Sequence, residues 1–295
     1  MKSVRVIIGI FLSICYFTTS AQVNSEDVLT IINKIDSVNR QSFSTSILKM
    51  KLSTCRYILK NGRMDCSETP RMSVLENVVK HYGNKNSETK TVAVVLEPIK
   101  DKGIGMLNFE YVDINKENEA WLYLSAIGKV KRLVANSDDT DGNGSFFGSE
   151  FSVEDMTIRK TNDYTYNLIN EETYDERPVW VIESIPTKSR SKKSKYGKIV
   201  SWVDQERYLI LKEDLYDHKG KLCKQQTRRD IQQIDNVWVV KTTTMNNLSS
   251  QRVSVMKILS VAYNMDVPDE FLTQRALIDF AFREKILDKL RQNLK

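Results

Sequence analysis

The stretch Leu222–Met245, LCKQQTRRDIQQIDNVWVVKTTTM, decides how the rest of the chain is read. Two runs rich in β-branched residues flank Asp235-Asn236, a pair suited to a two-residue hairpin turn. Neither run carries the three-to-four-residue spacing of an amphipathic helix. The reading is a β-hairpin, continued by a third strand at Arg252–Tyr263.

Working outward, the same signature recurs towards the N-terminus at Ser46–Leu59, Arg63–Val79, Thr91–Glu97, Ala120–Leu124 and Tyr164–Ile169. It returns at Pro178–Ile185, Lys198–Val203 and Tyr208–Tyr216. Turn residues separate the segments at Asn61-Gly62, Ile127-Gly128-Lys129 and Lys219-Gly220. About eleven strands joined mostly by hairpins predict one antiparallel meander, too large to stay flat and so curled into a half-barrel. Val92–Leu96, Trp121–Leu124 and Val237–Val240 are apolar at successive positions. Both of their sheet faces are therefore covered, by helices and by either a cavity or a filled core. The fold class is mainly β with helices.

Helices are expected only at the ends. Ser25 with Glu26 and Asp27 opens a helix whose stripe is Val28, Ile31, Ile32, Ile35 and Val38. Beyond Val267-Pro268-Asp269, the residues Leu277, Phe280, Ala281, Leu287, Leu290 and Leu294 predict one or two closing helices. The first 21 residues read as a cleaved signal peptide: Lys2 and Arg5, the short apolar core Val6–Phe17, then Thr19-Ser20-Ala21. Cys15 follows Ile14 inside that core, which argues against lipidation. Residues 22–295 are then one exported domain with a C-terminal helical extension.

The net charge of +6 is small for 295 residues, and acids and bases alternate along most of the chain, which disfavours nucleic acid. Past Cys15 three cysteines remain, so at least one is unpaired. In the Asn61-Gly62 hairpin, Tyr57 faces Cys66 and Cys55 lies diagonal to it. That geometry leaves open a disulfide or two packed thiols. With no Cys-x-x-Cys pair and only His81 and His218, both read as surface residues, zinc and thioredoxin-type chemistry lack support.

Several motifs resemble the outer-membrane lipoprotein-sorting (LolA/LolB-like) family. They are Leu96-Glu97-Pro98 running to Gly105, Trp121-Leu122-Tyr123-Leu124 with Gly128–Leu133, and Phe146–Met156. Trp202-Val203-Asp204, Tyr216-Asp217 and Pro268–Arg275 follow in order. Ser125-Ala126 departs from the family's usual proline, and the tail after Arg275 is longer. The resemblance implies an open curled sheet closed by helices around an apolar cavity. It also implies non-catalytic carriage or sensing of lipoprotein acyl chains or lipids, in company with an RND-type permease and the outer membrane. Burial alone holds such a ligand, at about 0.8 kcal/mol per methylene. Trp121, Tyr123, Trp180, Trp202 and Trp238 are the candidate wall residues, each of which could equally be core.

Two local patterns stand outside that picture. Asp139, Asp141, Asn143, Ser145 and Glu150 fit the oxygen positions of a twelve-residue calcium loop. A strand hairpin precedes it where an EF-hand has a helix, so calcium is the only cofactor in view, and a solvated turn is its rival. The tip Lys188–Lys195 is basic and Ser-rich, a contact for anionic headgroups or a free loop. No Gly-x-Ser-x-Gly elbow is present, and Glu154-Asp155 are merely adjacent, so a lipid hydrolase ranks below a calcium-ordered adhesion module as an alternative.

Overall fold

The computed structural model describes residues 25–133 and 144–295. The expected signal peptide lies outside them, as do Asp139, Asp141 and Asn143 of the acidic loop. The described strands on one side of the chain's midpoint are β1 (Thr45–Lys60), β2 (Arg63–Cys66), β3 (Arg71–Tyr82), β4 (Glu88–Glu97), β5 (Gly105–Tyr111), β6 (Glu119–Leu124) and β7 (Lys129–Leu133). On the other are β8 (Tyr164–Tyr174), β9 (Arg177–Pro186), β10 (Lys198–Asp204), β11 (Ile210–Tyr216), β12 (Leu222–Ile234), β13 (Val237–Asn247) and β14 (Arg252–Tyr263). Helices are α1 (Ser25–Gln41), the single turns α2 (Val153–Met156) and α3 (Lys188–Ser191), then α4 (Gln274–Ile278) and α5 (Phe280–Arg291).

There are fourteen described strands where the sequence suggested about eleven. Arg63–Val79 is two strands, split at Ser67–Pro70. The short β2 is exposed along its length and survives on backbone pairing and a cross-link. β5 starts on a glycine, and β7 is KVKRL, whose three cations read as solvent. An edge strand needs only one side of backbone pairing, so such a sequence can still join a sheet.

All strands except β2 form one antiparallel path, β7-β6-β5-β4-β3-β1-β14-β13-β12-β11-β10-β9-β8. Its two halves meet where β1 pairs with β14, Ser46 opposite Tyr263. The sheet is strongly curled. β4 and β11 are six places apart in that order, roughly 30 Å in a flat sheet at ~4.8 Å per strand. Yet Ala93 and Val95 of β4 share one packed cluster with Leu215 of β11.

The outer face of β1 and β3–β6 is sealed by the C-terminal helices. Ile47, Val78, Val92 and Leu107 pack against Phe271, Leu272, Leu277 and Leu287. Asp279 breaks the helical run and caps α5, accepting from the Phe282 N–H at 3.0 Å. Arg283 is buried and gives 3.0 Å hydrogen bonds to the carbonyls of Ala276 and Leu277, which the end of α4 leaves without helical partners. Arg291 clamps α5 to β3 through both oxygens of Glu76, at 2.8 and 2.7 Å.

The hairpin register has Tyr57 opposite Cys66, and Cys55 and Cys66 form a disulfide with Cα atoms 5.8 Å apart. Closing so short a loop contributes about 3 kcal/mol. Cys223 is the free thiol, and burial pushes its ionisation upward.

Candidate functional site: a divided hollow on the inner face

The edge strands β7 and β8 follow each other in sequence but stand at opposite ends of the sheet. The connector between them must therefore cross the open side of the half-barrel. Its described part, residues 144–163, lies against the inner face. Phe151 is fully buried and Phe146 nearly so, packed with Met50, Leu75, Met106, Tyr196 and Met245.

Local chemistry fixes the shape of this connector. Phe146 and Gly148 adopt a tight reversal with Phe147 at φ 50° and Gly148 at φ 72°. A Cβ on Gly148 would meet the Arg71 guanidinium at 2.6 Å, so the glycine also admits Arg71, which donates to the Phe147 carbonyl at 2.8 Å. Ser152 and Asp155 make a reciprocal capping box at the start of α2, 3.2 and 2.7 Å. Glu150 accepts from Arg252 at 2.9 Å and Asn247 at 2.7 Å, tying the connector to β13 and β14. On the far side Glu154 accepts from Arg190 and Ser194, both at 2.6 Å. Asp155 accepts from Lys224 at 3.0 Å and from the Tyr196 hydroxyl at 2.7 Å.

Two cavities flank this crossing, about 250 and 220 Å³ in volume. The first lies over β5–β7, with Asn108, Glu110, Ala120 and Leu133 in its wall. The second lies beneath α1 and over β8–β12, bounded by Ile32, Ile35, Ile182, Ile199 and Leu215. Glu154, Met156, Thr157, Ile158 and Arg159 belong to both walls, so the connector is the partition.

The hollow also holds charge. Glu213 is almost completely buried and accepts from Arg159, from Arg228 at 3.1 Å and from the Ser201 hydroxyl at 3.1 Å. Burial alone would push its carboxyl up; the two guanidinium groups more than reverse this and hold it below the ordinary range. In the first cavity the Glu110 carboxylate accepts a single long bond among the described residues, 3.3 Å from the Ile158 N–H. Burial pushes its carboxyl up to about 7, against the opposing pull of that N–H and of Arg40.

The five aromatic candidates are scattered. Trp121 and Tyr123 lie on the outer face against the C-terminal helices, with Trp121 edge-on to Phe109 at 5.0 Å. Trp202 donates to Glu172 at 2.6 Å, with the Lys212 ammonium 3.7 Å over its ring. Trp238 is half-exposed beneath Arg207. Trp180 packs with Tyr208 next to α1 on the inner face. None of the five contributes to the walls of the two cavities.

Of the calcium-loop residues, Ser145 and Glu150 are described. Ser145 donates to the Ser149 carbonyl at 2.7 Å, and a cation taking Glu150 through both oxygens would displace Arg252 and Asn247. Among the described residues no three His, Cys, Asp or Glu side chains group as a metal site. His81 is buried, contrary to its surface reading; burial and then Arg40 lower its pKa to about 4. Its Nδ1 pairs with Thr89 at 2.9 Å. His218 is exposed, as expected. The basic tip is not a free loop, because α3 turns Arg190 and the fully buried Ser194 inward onto Glu154.

Arg159, Glu213 and Arg228 were not singled out by sequence reasoning. A signal did exist in β11, where Leu211, Glu213 and Leu215 occupy alternate positions and only the middle one is charged. A carboxylate at that inward parity requires a buried cation.

A family model described as "Uncharacterized protein" matches residues 87–279, well over half of the chain. A DUF1329 family protein from Desulfovibrio piger is 23% identical, with TM-score 0.75 over 86% of this chain and 98% of its own. A domain provisionally named an outer-membrane lipoprotein-sorting protein, from Vibrio parahaemolyticus, is also 23% identical, with TM-score 0.74 over 86% of this chain and all of its own length (100%). The chain belongs to the family of the matching model, and its fold is LolA-like. The LolA superfamily protein NE2245 from Nitrosomonas europaea shares the fold more distantly, 17% identical with TM-score 0.60 over 83% of this chain and 97% of its own. No curated protein matches the chain by sequence. As a LolA-like protein it places its family-resembling segment Phe146–Met156 in the hollow, on the partition between the cavities.

Proposed function

We propose that this LolA-like protein is a periplasmic, non-catalytic carrier or sensor of lipid or lipoprotein acyl chains. Acyl chains enter the hollow between the inner sheet face, α1 and the connector. The observation that carries the reading is the partition. Each cavity is below the ~300 Å³ at which small-ligand sites begin, while the two joined come within that range. Movement of residues 153–159 would join the two for a longer chain, which suits a carrier that must also release its cargo. Phe146 and Phe151 anchor the start of the connector in the core. Residues 154–159 are tied largely by polar contacts and border a cavity on either side, which lowers the cost of moving that part.

Apolar and aromatic residues from α1 and four strands supply the driving force, at about 0.8 kcal/mol for each methylene removed from water. Of the aromatic candidates, the reading keeps Trp180 beside α1 as a wall that an entering chain would reach. An RND-type permease as donor and the outer membrane as acceptor complete the proposal, resting on the family resemblance.

The test is native mass spectrometry of protein purified from a bacterial host, with and without organic extraction. Bound fatty acid or phospholipid that is lost on extraction and regained from vesicles supports the carrier reading. Protein that is free of lipid and takes up no acyl probe overturns it.

A further inference from the structure

The charges in the wall of the second cavity do not balance. Asp36 pairs with Arg40 at 2.7 Å, Glu154 with Arg190 at 2.6 Å and Asp155 with Lys224 at 3.0 Å. Glu213 alone faces two cations, Arg159 and Arg228. Among the described residues the four wall carboxylates thus stand against five cations, Arg159 and Arg228 in the wall and Arg40, Arg190 and Lys224 just outside it. Arg228 also donates to the Ile210 carbonyl at 3.2 Å, which holds it in place. Arg159 spends one terminal nitrogen on Glu213, the one hydrogen bond of its side chain among the described residues. Its side chain is 27% exposed and belongs to the walls of both cavities.

A cation in excess with unused donors, beside an apolar wall, is complementary to a hydrocarbon chain ending in an anion. We infer that the hollow selects single-chain amphiphiles with an anionic head. The carboxylate or phosphate sits on Arg159, and the chain runs along Ile32, Ile35, Ile182, Ile199 and Leu215. This assignment rests on the carrier reading and narrows its substrate class. It places the head at the partition, so that binding neutralises the one excess charge on the connector itself.

The experiment is calorimetric titration of the full mature chain with palmitate, 1-palmitoyl lysophosphatidate and 1-monopalmitoylglycerol, each below its micelle concentration. Palmitate or the lysophosphatidate should bind at least roughly tenfold tighter than the neutral glyceride, the scale of one charge-assisted hydrogen bond. Which of the two gains more separates a carboxylate source from a phosphate source. Arg159→Met should bring the anionic and neutral ligands to one affinity, read as the ratio between them within that variant, and Arg159→Lys should keep the preference in part. Equal binding of all three by the unaltered protein overturns the head assignment and leaves the carrier reading standing. Binding of none overturns the carrier reading itself. If Arg159→Met fails to fold, Arg159→Lys decides: a preference smaller than that of the unaltered protein supports the assignment, and an undiminished one overturns it. An unaltered preference in Arg159→Met overturns it.

Discussion

The two faces of one sheet are built to different rules. Outside, β1 and β3–β6 meet the C-terminal helices through Val78, Leu107, Phe271 and Leu277, with polar groups confined to clamps such as Arg291 on Glu76. Inside, the same strands and their partners β8–β14 meet a connector that brings in Glu154, Asp155 and Arg159 and leaves cavities on either side. A dry interface is cohesive because removing any part exposes or empties it. A partly polar, partly hollow one holds together less strongly and can be rearranged. The sheet's stability is thus concentrated on the outer face, and its capacity to change lies on the inner.

That contrast can be broken by experiment. Phe271→Ala, in the outer seal, should cost about 3–5 kcal/mol in urea unfolding. A loss below 1 kcal/mol would mean the helices are not the seal. Glu213→Gln on the inner face should cost about 3 kcal/mol, because it strands Arg159 and Arg228 without their counter-ion. An anionic amphiphile should restore part of that loss in a melting-temperature assay, whereas it should not rescue Phe271→Ala.

Glu110 sharpens the comparison through pH. Unfolded, its carboxyl ionises near the ordinary 4.5; folded, burial holds it protonated until about 7. Between those values Glu110 keeps a proton that the unfolded chain has lost, so its contribution to stability falls as pH rises and levels off above 7. That contribution is on the order of 3 kcal/mol. His81, lowered to about 4, contributes in the opposite sense up to about 6.5. Glu110→Gln should remove the falling contribution, so that stability climbs more steeply between pH 5 and 7 than in the unaltered protein in parallel unfolding titrations. An unchanged slope would place the titrating group elsewhere. The smallest effect is expected for Trp202→Phe. Its ring lies between Lys212 and Glu172, so stability should move by less than about 0.5 kcal/mol and acyl uptake not at all. Lost uptake would put a lipid contact where the structure shows none.

Much of the fold was readable because strand sequences report burial. Val92–Leu96, apolar throughout, is β4, covered by helices on one face and by the connector side on the other. The helical spacing after Val267 reports α5 correctly, though the break at Asp279 comes from a cap that spacing does not show. Weak strands escaped notice: β7 has three cations in five residues and is a strand only because β6 pairs with it. The site was less legible. Large aromatics drew attention, yet four of the five candidates sit away from the inner face, since an aromatic is as useful in a core or over a lysine as in a ligand wall. Arg159 is one cation among many in the sequence, and nothing local marks it as facing Glu213.

The sequence by itself determined the meander, the hairpin holding Cys55 and Cys66, the amphipathic helices at the two ends and the family resemblance, because each depends on neighbours close along the chain. Tertiary structure alone decided that β7 and β8 become opposite edges, so that the connector crosses the hollow and divides it. It also decided that Arg159 meets a carboxylate 54 residues away. Side-chain alternation tells which residues share a face; only the curl of the sheet tells what that face encloses.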